Sequence, residues 1–159
     1  MAATQTHAET PAAPSGTVLF AYDGSELAAY AIEQAGRELA PAREALVVCV
    51  WQPADVGFVP VTKQHFDADE ATEVQKAAEE TAAHGASLAN QAGFRAQGLA
   101  VEAAPTWQGL VEAAEHHGAS LIVLGSHRRS GLAGHLLGSV TAAVVAHSAF
   151  SVLVVHQRS

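Results

Sequence analysis

Four uninterrupted apolar runs constrain the fold of this chain more than any other feature. They are "TVLFAY" at residues 17–22, "ALVVCVW" at 45–51, "SLIVLG" at 120–125 and "SVLVVH" at 151–156. A strand with one face in solvent alternates apolar and polar residues, whereas a continuous run of Val, Leu and Ile indicates a strand buried on both faces. A fifth segment, "FRAQGLAVEA" at 94–103, alternates imperfectly and indicates an edge strand. The runs therefore predict a parallel sheet that is covered on both faces.

Segments of helical pattern lie between these runs. The first, "SELAAYAIEQAGRELA", has a mostly apolar side and a natural N-cap in Ser25. A long segment rich in Ala and Glu spans about residues 67–91, "TWQGLVEAAEHHG" follows the fifth segment, and a last helix starts near Ser139. Alternating strands and helices predict an α/β fold with an open five-stranded parallel sheet, flanked by helices on both faces and Rossmann-like. We expect the strand order 3-2-1-4-5.

Length and composition indicate one domain. The chain has 159 residues, of which 49% are apolar, so one core of ordinary size accounts for it. Residues 1–15 are rich in Ala, Pro and Thr, which predicts a disordered tail before a single domain at 16–157. The first residues have no basic start followed by an apolar segment, so we expect neither a secretory signal nor a membrane anchor there, and no apolar run approaches the roughly 20 residues of a membrane span. We expect a cytoplasmic protein, in which the single cysteine, Cys49, is a core residue.

The charge balance excludes two classes of partner. The net charge is -8 and the isoelectric point is about 5.5, which gives no field that attracts nucleic acid or an anionic membrane. Positive charge is scarce, since the only lysines are Lys63 and Lys76. Two arginines, Arg128 and Arg129, are adjacent in one glycine-rich stretch.

That stretch, "GSHRRSGLAGHLLGS" at residues 125–139, follows the third apolar run listed above. In the expected strand order, it faces the turn "YDGS" across the crevice at the carboxyl ends of the central strands. One interpretation is a phosphate cradle, in which backbone N–H groups around Gly125, Gly138 and Ser139 meet anionic oxygens. The other is a glycine-rich surface loop without a ligand.

Two titratable residues beside this crevice have alternative interpretations. Asp23 either contacts a ligand or forms an Asx turn or helix cap in "DGSE". His127 either meets phosphate when protonated or is a solvated loop residue. The other histidines, including the pair His116 and His117, lack a spacing typical of a zinc site, so we expect no metal ligands from the protein itself.

Over about residues 16–157, the chain resembles the universal stress protein family. The segments that carry the resemblance are "AYDGSELAAYAI", "LVVCVWQP", "LIVLGSH" and "LLGSVTAAVVAHSAFSVLVVH". ATP-binding members of that family have a pattern of Gly, two residues, Gly, nine residues, and then Gly-Ser or Gly-Thr. Gly125 and Gly138-Ser139 match its first and last positions, whereas Arg128 stands at the second glycine. The resemblance implies an adenine nucleotide alpha hydrolase-like fold.

The resemblance also implies a ligand, ATP, with Mg²⁺ accompanying it. It implies that Asp23 contacts the nucleoside and that Val50, a core valine by its own pattern, offers its backbone to the adenine. Arg128 would either crowd the site or add a cation to the phosphates. The full set of expected binding residues is Asp23, Val50, Gly125, Ser126, His127, Arg128, Gly138, Ser139 and Val140. Trp51 adjoins the expected adenine position, so its fluorescence is a candidate reporter of binding.

We expect a binding module with no catalytic residue. The chain lacks a Gly-x-x-x-x-Gly-Lys-Ser/Thr loop and a Gly-x-Ser-x-Gly elbow. The first hypothesis is an ATP-binding regulatory protein of the stress response, which couples its nucleotide state to an unidentified protein partner. The second is a nucleotide-independent dimeric interaction module of the same fold. The third is a slow ATP hydrolase that uses Arg128 or His127.

The last apolar run, residues 151–156, is expected at the edge of the sheet. An edge strand has unpaired backbone groups that invite pairing with another copy of the chain. Members of the resembled family commonly dimerise through this strand. A homodimer is therefore expected, and the alternative is an edge covered by the tail.

Overall fold

A computed structural model describes residues 16–53, 68–127 and 137–157. The predicted tail and Arg128 lie outside these residues. The strands are β1 (Thr17–Ala21), β2 (Glu44–Trp51), β3 (Arg95–Glu102), β4 (Ala119–Ser126) and β5 (Ser151–His156). The helices are α1 (Glu26–Glu38), α2 (Ala68–Gln91), α3 (Thr106–His116) and α4 (Ser139–His147).

The five strands form one parallel sheet in the order β3-β2-β1-β4-β5, which confirms the expected topology. The apolar runs are continuous for the reason that was predicted: helices cover both faces of the central strands, so both sets of side chains are buried. Val18, Leu19 and Phe20 are consecutive in β1, and all three are buried. One cluster of buried side chains joins α1 and α2 to the sheet, and a second joins α3 and α4 to the opposite face.

Local sequence explains how α1 begins and which side it buries. The Ser25 Oγ atom accepts a hydrogen bond of 3.2 Å from the Ala28 N–H group, so the predicted N-cap is confirmed. Residues at helical spacing then face the sheet and are buried: Leu27, Ala28, Ala31, Ile32 and Ala35. The helix thereby starts at the carboxyl end of β1.

At Gly98, the edge strand β3 closely approaches α2. A Cβ atom at Gly98 would lie 2.6 Å from the carbonyl carbon and oxygen of Ala82, which is too close for any side chain. Glycine therefore lets the edge strand lie directly against the helix backbone. Nearby, the rings of Phe20 and Phe94 meet edge to face with centroids 5.1 Å apart.

The strand order creates a crevice between β1 and β4. From β1 the chain adds strands on one side of the sheet, through β2 to β3, and then crosses to β4 and β5 on the other side. The loops that leave β1 and β4 diverge at such a switch point and leave space at their carboxyl ends. Within the three described ranges, no helix is long and apolar enough to cross a membrane.

We predict that Gly98→Ala lowers the free energy of unfolding by about 1–3 kcal/mol, because the added methyl group forces β3 away from α2. Urea unfolding measures the effect. The matched control is Gln97→Ala, an exposed neighbour in the same strand, which should change stability by less than about 0.5 kcal/mol. Equal stabilities for Gly98→Ala and the unmodified chain would contradict the proposed packing.

Candidate functional site

An open pocket of about 600 Å³ lies at the carboxyl ends of β1 and β4. Its lining combines an apolar floor with a polar rim. The apolar side chains include Ala21, Val48, Val50, Leu110 and Leu124. The polar residues include Asp23, Thr106, Ser126, His127, Ser139 and Thr141. Such a combination is typical of a site for a small organic molecule that carries a few polar groups.

The structure brings most of the expected binding residues together in this pocket. Those that line it are Asp23, Val50, Gly125, Ser126, His127, Gly138, Ser139 and Val140. The remaining one, Arg128, lies outside the described residues. Their convergence comes from the topology, since they follow β1, β2 and β4 or begin α4. That they hold a ligand stays a prediction.

Asp23 has both a structural role and a position in the pocket. Its Oδ1 atom accepts a hydrogen bond of 2.9 Å from the Ser25 N–H group, which is an Asx turn immediately before α1. Its side chain is exposed, and the residue lines the pocket. The two interpretations of Asp23 are therefore compatible, because a carboxylate has four acceptor positions and the turn occupies one.

Two buried groups beside Asp23, the Tyr22 hydroxyl and the Cys49 thiol, have raised pKa values. Burial raises the pKa of the Tyr22 hydroxyl, and the negative charges of Asp23 and of the ionised Cys49 thiolate raise it further. Burial likewise raises the pKa of the Cys49 thiol, with a second contribution from Asp23. The Tyr22 hydroxyl lies 3.0 Å from His84 Nδ1 on α2, so this ring spans from the pocket to the helix behind it.

Hydrogen bonds join the end of β4 to the start of α4. Ser126 is 1% exposed, and its Oγ atom accepts a bond of 3.4 Å from the Gly138 N–H group. The Thr141 Oγ1 atom donates to the Gly125 carbonyl oxygen over 3.3 Å. On the side of β4 that pairs with β5, His156 Nδ1 lies 3.3 Å from the Ser126 carbonyl oxygen. This nitrogen must be the donor, because a carbonyl oxygen only accepts.

Residues 125 and 138, the two positions where the expected pattern is matched by glycine, differ in how closely their surroundings approach. A Cβ atom at Gly125 would lie 2.7 Å from the Cγ atom of Leu27, so packing against α1 already requires a glycine there. A Cβ atom at Gly138 would meet nothing within 4 Å. Gly138 also has a φ of -56°, which any residue adopts. Packing within the described part of the protein therefore does not require glycine at residue 138, where the preference for glycine at N-caps and the close approach of a ligand would both favour it.

The N-terminus of α4 is open to the pocket. Gly138 is its N-cap and supplies no side chain, in contrast to Ser25 at the start of α1. The first-turn amides belong to Ser139, Val140 and Thr141, which all line the pocket. These N–H groups and the helix dipole favour an anion. No Lys or Arg belongs to the described lining, in which His127 is the one residue that can become a cation.

The structure corrects one expectation, because Trp51 does not face the pocket. It packs against Cys49, Ala78 and Ala82 on the α2 side of the sheet. Side chains alternate along a strand, so Val50 and Trp51 point to opposite faces. The Trp51 ring is therefore a poor reporter of pocket occupancy.

The sequence interpretation missed part of the pocket, notably Thr106, Leu110 and Thr141. A signal was available for Thr106, since a helix that follows a parallel strand begins at the carboxyl edge of the sheet. Next to it, Trp107 stacks on His147 of α4, with centroids 4.8 Å apart. Each tryptophan follows a pocket residue in sequence, Trp51 after Val50 and Trp107 after Thr106, but the ring of Trp107 contacts α4, which borders the pocket.

These features define an α/β domain with a pocket at the switch point of a parallel sheet, bordered by an uncapped helix N-terminus. The chain belongs to the universal stress protein family, whose model matches residues 15–156. The sequence has no significant match among curated proteins.

Solved structures share the fold over most of the chain. The hypothetical protein MJ0577 is 25% identical, with a TM-score of 0.70, and the match covers 91% of this chain and 97% of that one. A universal stress protein in complex with cAMP is 28% identical, with a TM-score of 0.61 and coverage of 91% and 98%. A universal stress protein from Archaeoglobus fulgidus in complex with dAMP is 19% identical, with a TM-score of 0.56 and coverage of 89% and 97%, and it supports the fold alone.

We predict that Asp23→Asn lowers the pKa of the Cys49 thiol, because a nearby negative charge no longer opposes the thiolate. The pKa should stay above its ordinary value, since burial remains the larger cause. The measurement is a pH titration of the ¹³Cβ chemical shift of isotopically labelled cysteine, which reports this thiol alone because the chain has one cysteine. The control is Glu26→Gln, which removes an exposed acid in the first turn of α1. Identical titrations for Asp23→Asn and the unmodified chain would contradict the placement of this charge.

The raised pKa also sets the direction of a stability change. Because the folded thiol holds its proton more tightly than the unfolded thiol, the folded state loses stability as pH rises from the ordinary thiol pKa to the raised pKa of the folded thiol. The loss should be smaller in Asp23→Asn. Thermal unfolding at a series of alkaline pH values measures it.

Proposed function

We propose that the pocket binds an adenine nucleotide, ATP with Mg²⁺ in the first instance, and that the protein is a regulatory binding module of the stress response in the cytoplasm. The observation that carries this proposal is the open space at Gly138 beside the uncapped start of α4. A ligand with both an apolar ring and an anionic group suits this pocket. A nucleotide has both.

The nucleoside belongs to the apolar side of the pocket. Val50 and Leu110 offer a surface for a flat ring, and the Val50 backbone offers hydrogen bonds at the end of β2. The Asp23 carboxylate accepts hydrogen bonds only, so it suits the hydroxyl groups of a ribose or an exocyclic amine. The solved structure of a universal stress protein with cAMP, which is 28% identical to this chain, supports an adenine ligand.

In this proposal, the phosphates of the nucleotide lie at the N-terminus of α4. Asp23 repels them, and the N–H groups of Ser139 and Val140 attract them, so the electrostatics of the pocket orient the ligand. Ser126 and His127 line the pocket beside these amides. Mg²⁺ would be held by the phosphates of the nucleotide, since no group of three or more His, Cys, Asp or Glu in the described ranges could hold a metal ion.

Binding, rather than hydrolysis, is the activity that these residues favour. Phosphoryl transfer requires a positioned cation or base beside the terminal phosphate. Among the described lining residues, His127 is the one candidate, and Arg128 is the candidate outside them. Any ATP hydrolysis should therefore be slow.

The second part of the proposal is a homodimer that forms through β5. This strand is at the edge of the sheet, and its central residues from Val152 to Val155 are only half-buried. Two identical edges can pair antiparallel about a twofold axis, which satisfies the free backbone groups of both. A monomer at micromolar protein concentration would contradict this part.

The test of nucleotide binding begins with denaturing the purified protein and identifying any released nucleotide. The stripped protein is then titrated with ATP and magnesium by calorimetry, and we expect saturable micromolar binding. Gly138→Ala should weaken ATP binding by about tenfold, or about 1.4 kcal/mol, because its methyl group occupies the approach of the phosphates. Adenosine should bind both proteins equally, since it lacks that group.

The control variant is Ala142→Ser, at an exposed position of α4 that does not line the pocket. It should bind ATP as the unmodified chain does. No heat with ATP up to millimolar concentration would contradict nucleotide binding and leave the nucleotide-independent dimeric module. Equal weakening of adenosine and ATP by Gly138→Ala would contradict the assignment of phosphates to α4.

A further inference from the structure

Gly85 lies in the interior of α2, where glycine is one of the least favourable residues. Its surroundings explain why it is there. A Cβ atom at Gly85 would lie 2.6 Å from Cδ1 of Tyr22 and 2.7 Å from Cγ1 of Val47. The missing side chain therefore leaves a notch in α2, and the Tyr22 ring fills it.

Tyr22 is held at three points. Its N–H group donates a hydrogen bond of 2.9 Å to the Val48 carbonyl oxygen, which extends the pairing of β1 with β2. Tyr22 is 3% exposed, with its ring against the notch at Gly85. Its hydroxyl lies 3.0 Å from Nδ1 of His84, an exposed residue of α2. The end of β1 is therefore attached both to the sheet and to α2.

The turn that follows Tyr22 has few contacts of its own. Asp23 is exposed, and within the described ranges its side chain has one hydrogen bond, the bond of 2.9 Å from the Ser25 N–H group. Gly24 has a φ of 83°, and a Cβ atom there would lie 3.5 Å from Cγ2 of Thr81 on α2. The direction of the Asp23 carboxylate therefore depends on where the preceding residue, Tyr22, is held.

His84 is connected to the pocket through Tyr22. It does not line the pocket, whereas Tyr22 and Asp23 both do. The His84 ring meets the Tyr22 ring at a tilt, with centroids 6.1 Å apart, in addition to the hydrogen bond. Tyr22 and Asp23 lie close enough that the Asp23 charge contributes to the raised pKa of the Tyr22 hydroxyl. A change at His84 that leaves α2 intact therefore reaches the pocket by way of Tyr22.

We propose that Tyr22 is a positioning residue of the nucleotide pocket, because the bond between its hydroxyl and His84 fixes the turn at Asp23 against α2. This role rests on the proposed function, in which the Asp23 carboxylate accepts hydrogen bonds from the nucleoside. A carboxylate that is already oriented loses less conformational freedom on binding than one that the ligand must order. The phosphates are outside this effect, since α4 and α2 pack on opposite faces of the sheet. Tyr22 therefore acts on the affinity for the nucleoside part of the ligand.

The test is calorimetry of the full chain with adenosine and, separately, with ATP and magnesium. Tyr22→Phe keeps the ring in the notch and removes the hydroxyl, so we expect it to weaken the binding of both ligands by the same factor, about three- to tenfold.

His84→Leu and His84→Asn form a matched pair, because leucine and asparagine have the same branched shape and differ in their polar atoms. His84→Leu should weaken both ligands as Tyr22→Phe does. His84→Asn should restore binding, since its amide has a polar atom on Cγ where histidine has Nδ1. The control is Ala83→Leu, which places a leucine at the neighbouring exposed position of α2 and should bind both ligands as the unmodified chain does.

The Asp23→Asn background separates positioning from a general effect on the fold. When Tyr22→Phe is added to Asp23→Asn, adenosine binding should weaken by less than about twofold, because the effect of the hydroxyl passes through the carboxylate. His84 is exposed, so its two variants keep the test decisive if Tyr22→Phe lowers the melting temperature.

Equal binding by Tyr22→Phe, His84→Leu and the unmodified chain would overturn the positioning role and leave the proposed function standing. A loss that His84→Asn does not restore would also overturn it, as would a loss confined to ATP or one of full size in the Asp23→Asn background. If the unmodified chain binds neither ligand, the proposed function fails and the positioning role fails with it.

Discussion

Burial of β1 on both faces is the constraint on which the rest of this structure depends. Its residues Val18, Leu19 and Phe20 are all inaccessible, so both sides of the strand must be covered, and the helices that connect parallel strands cover them. Because β2 and β4 are added on opposite sides, the loops after β1 and β4 separate. The pocket lies in that separation, and the apolar core continues directly into its floor.

The chemistry of the pocket follows from two helix starts that are capped differently. Ser25 caps α1 with its own side chain, and Asp23 adds a carboxylate to the same turn. Gly138 leaves the start of α4 without a side-chain cap. One end of the pocket is therefore acidic and the other attracts anions, so a molecule with a hydrogen-bond donor at one end and a phosphate at the other has one favoured orientation. This arrangement links the fold to the proposed function.

Much of the fold could be predicted from the sequence, because the burial of strands and helices leaves a periodic pattern. The strand order is confirmed, and the convergence of Asp23, Val50 and Gly138 follows from it. Contacts between distant elements leave no such pattern. The reason for a glycine at residue 125 is Leu27, nearly a hundred positions earlier, and the direction of Trp51 depends on the register of β2. Such features follow from packing, which a local pattern does not specify.

The measurement that tests the central claim most directly is a nuclear magnetic resonance titration of isotopically labelled protein with ATP and magnesium. The account predicts that the largest amide shifts occur at three places: the turn at Asp23, the end of β4 from Gly125 to His127, and the first turn of α4. Amides of β3, at the far edge of the sheet, should change little. Saturable shifts that avoid these three places, or no shifts at saturating nucleotide, would contradict the account.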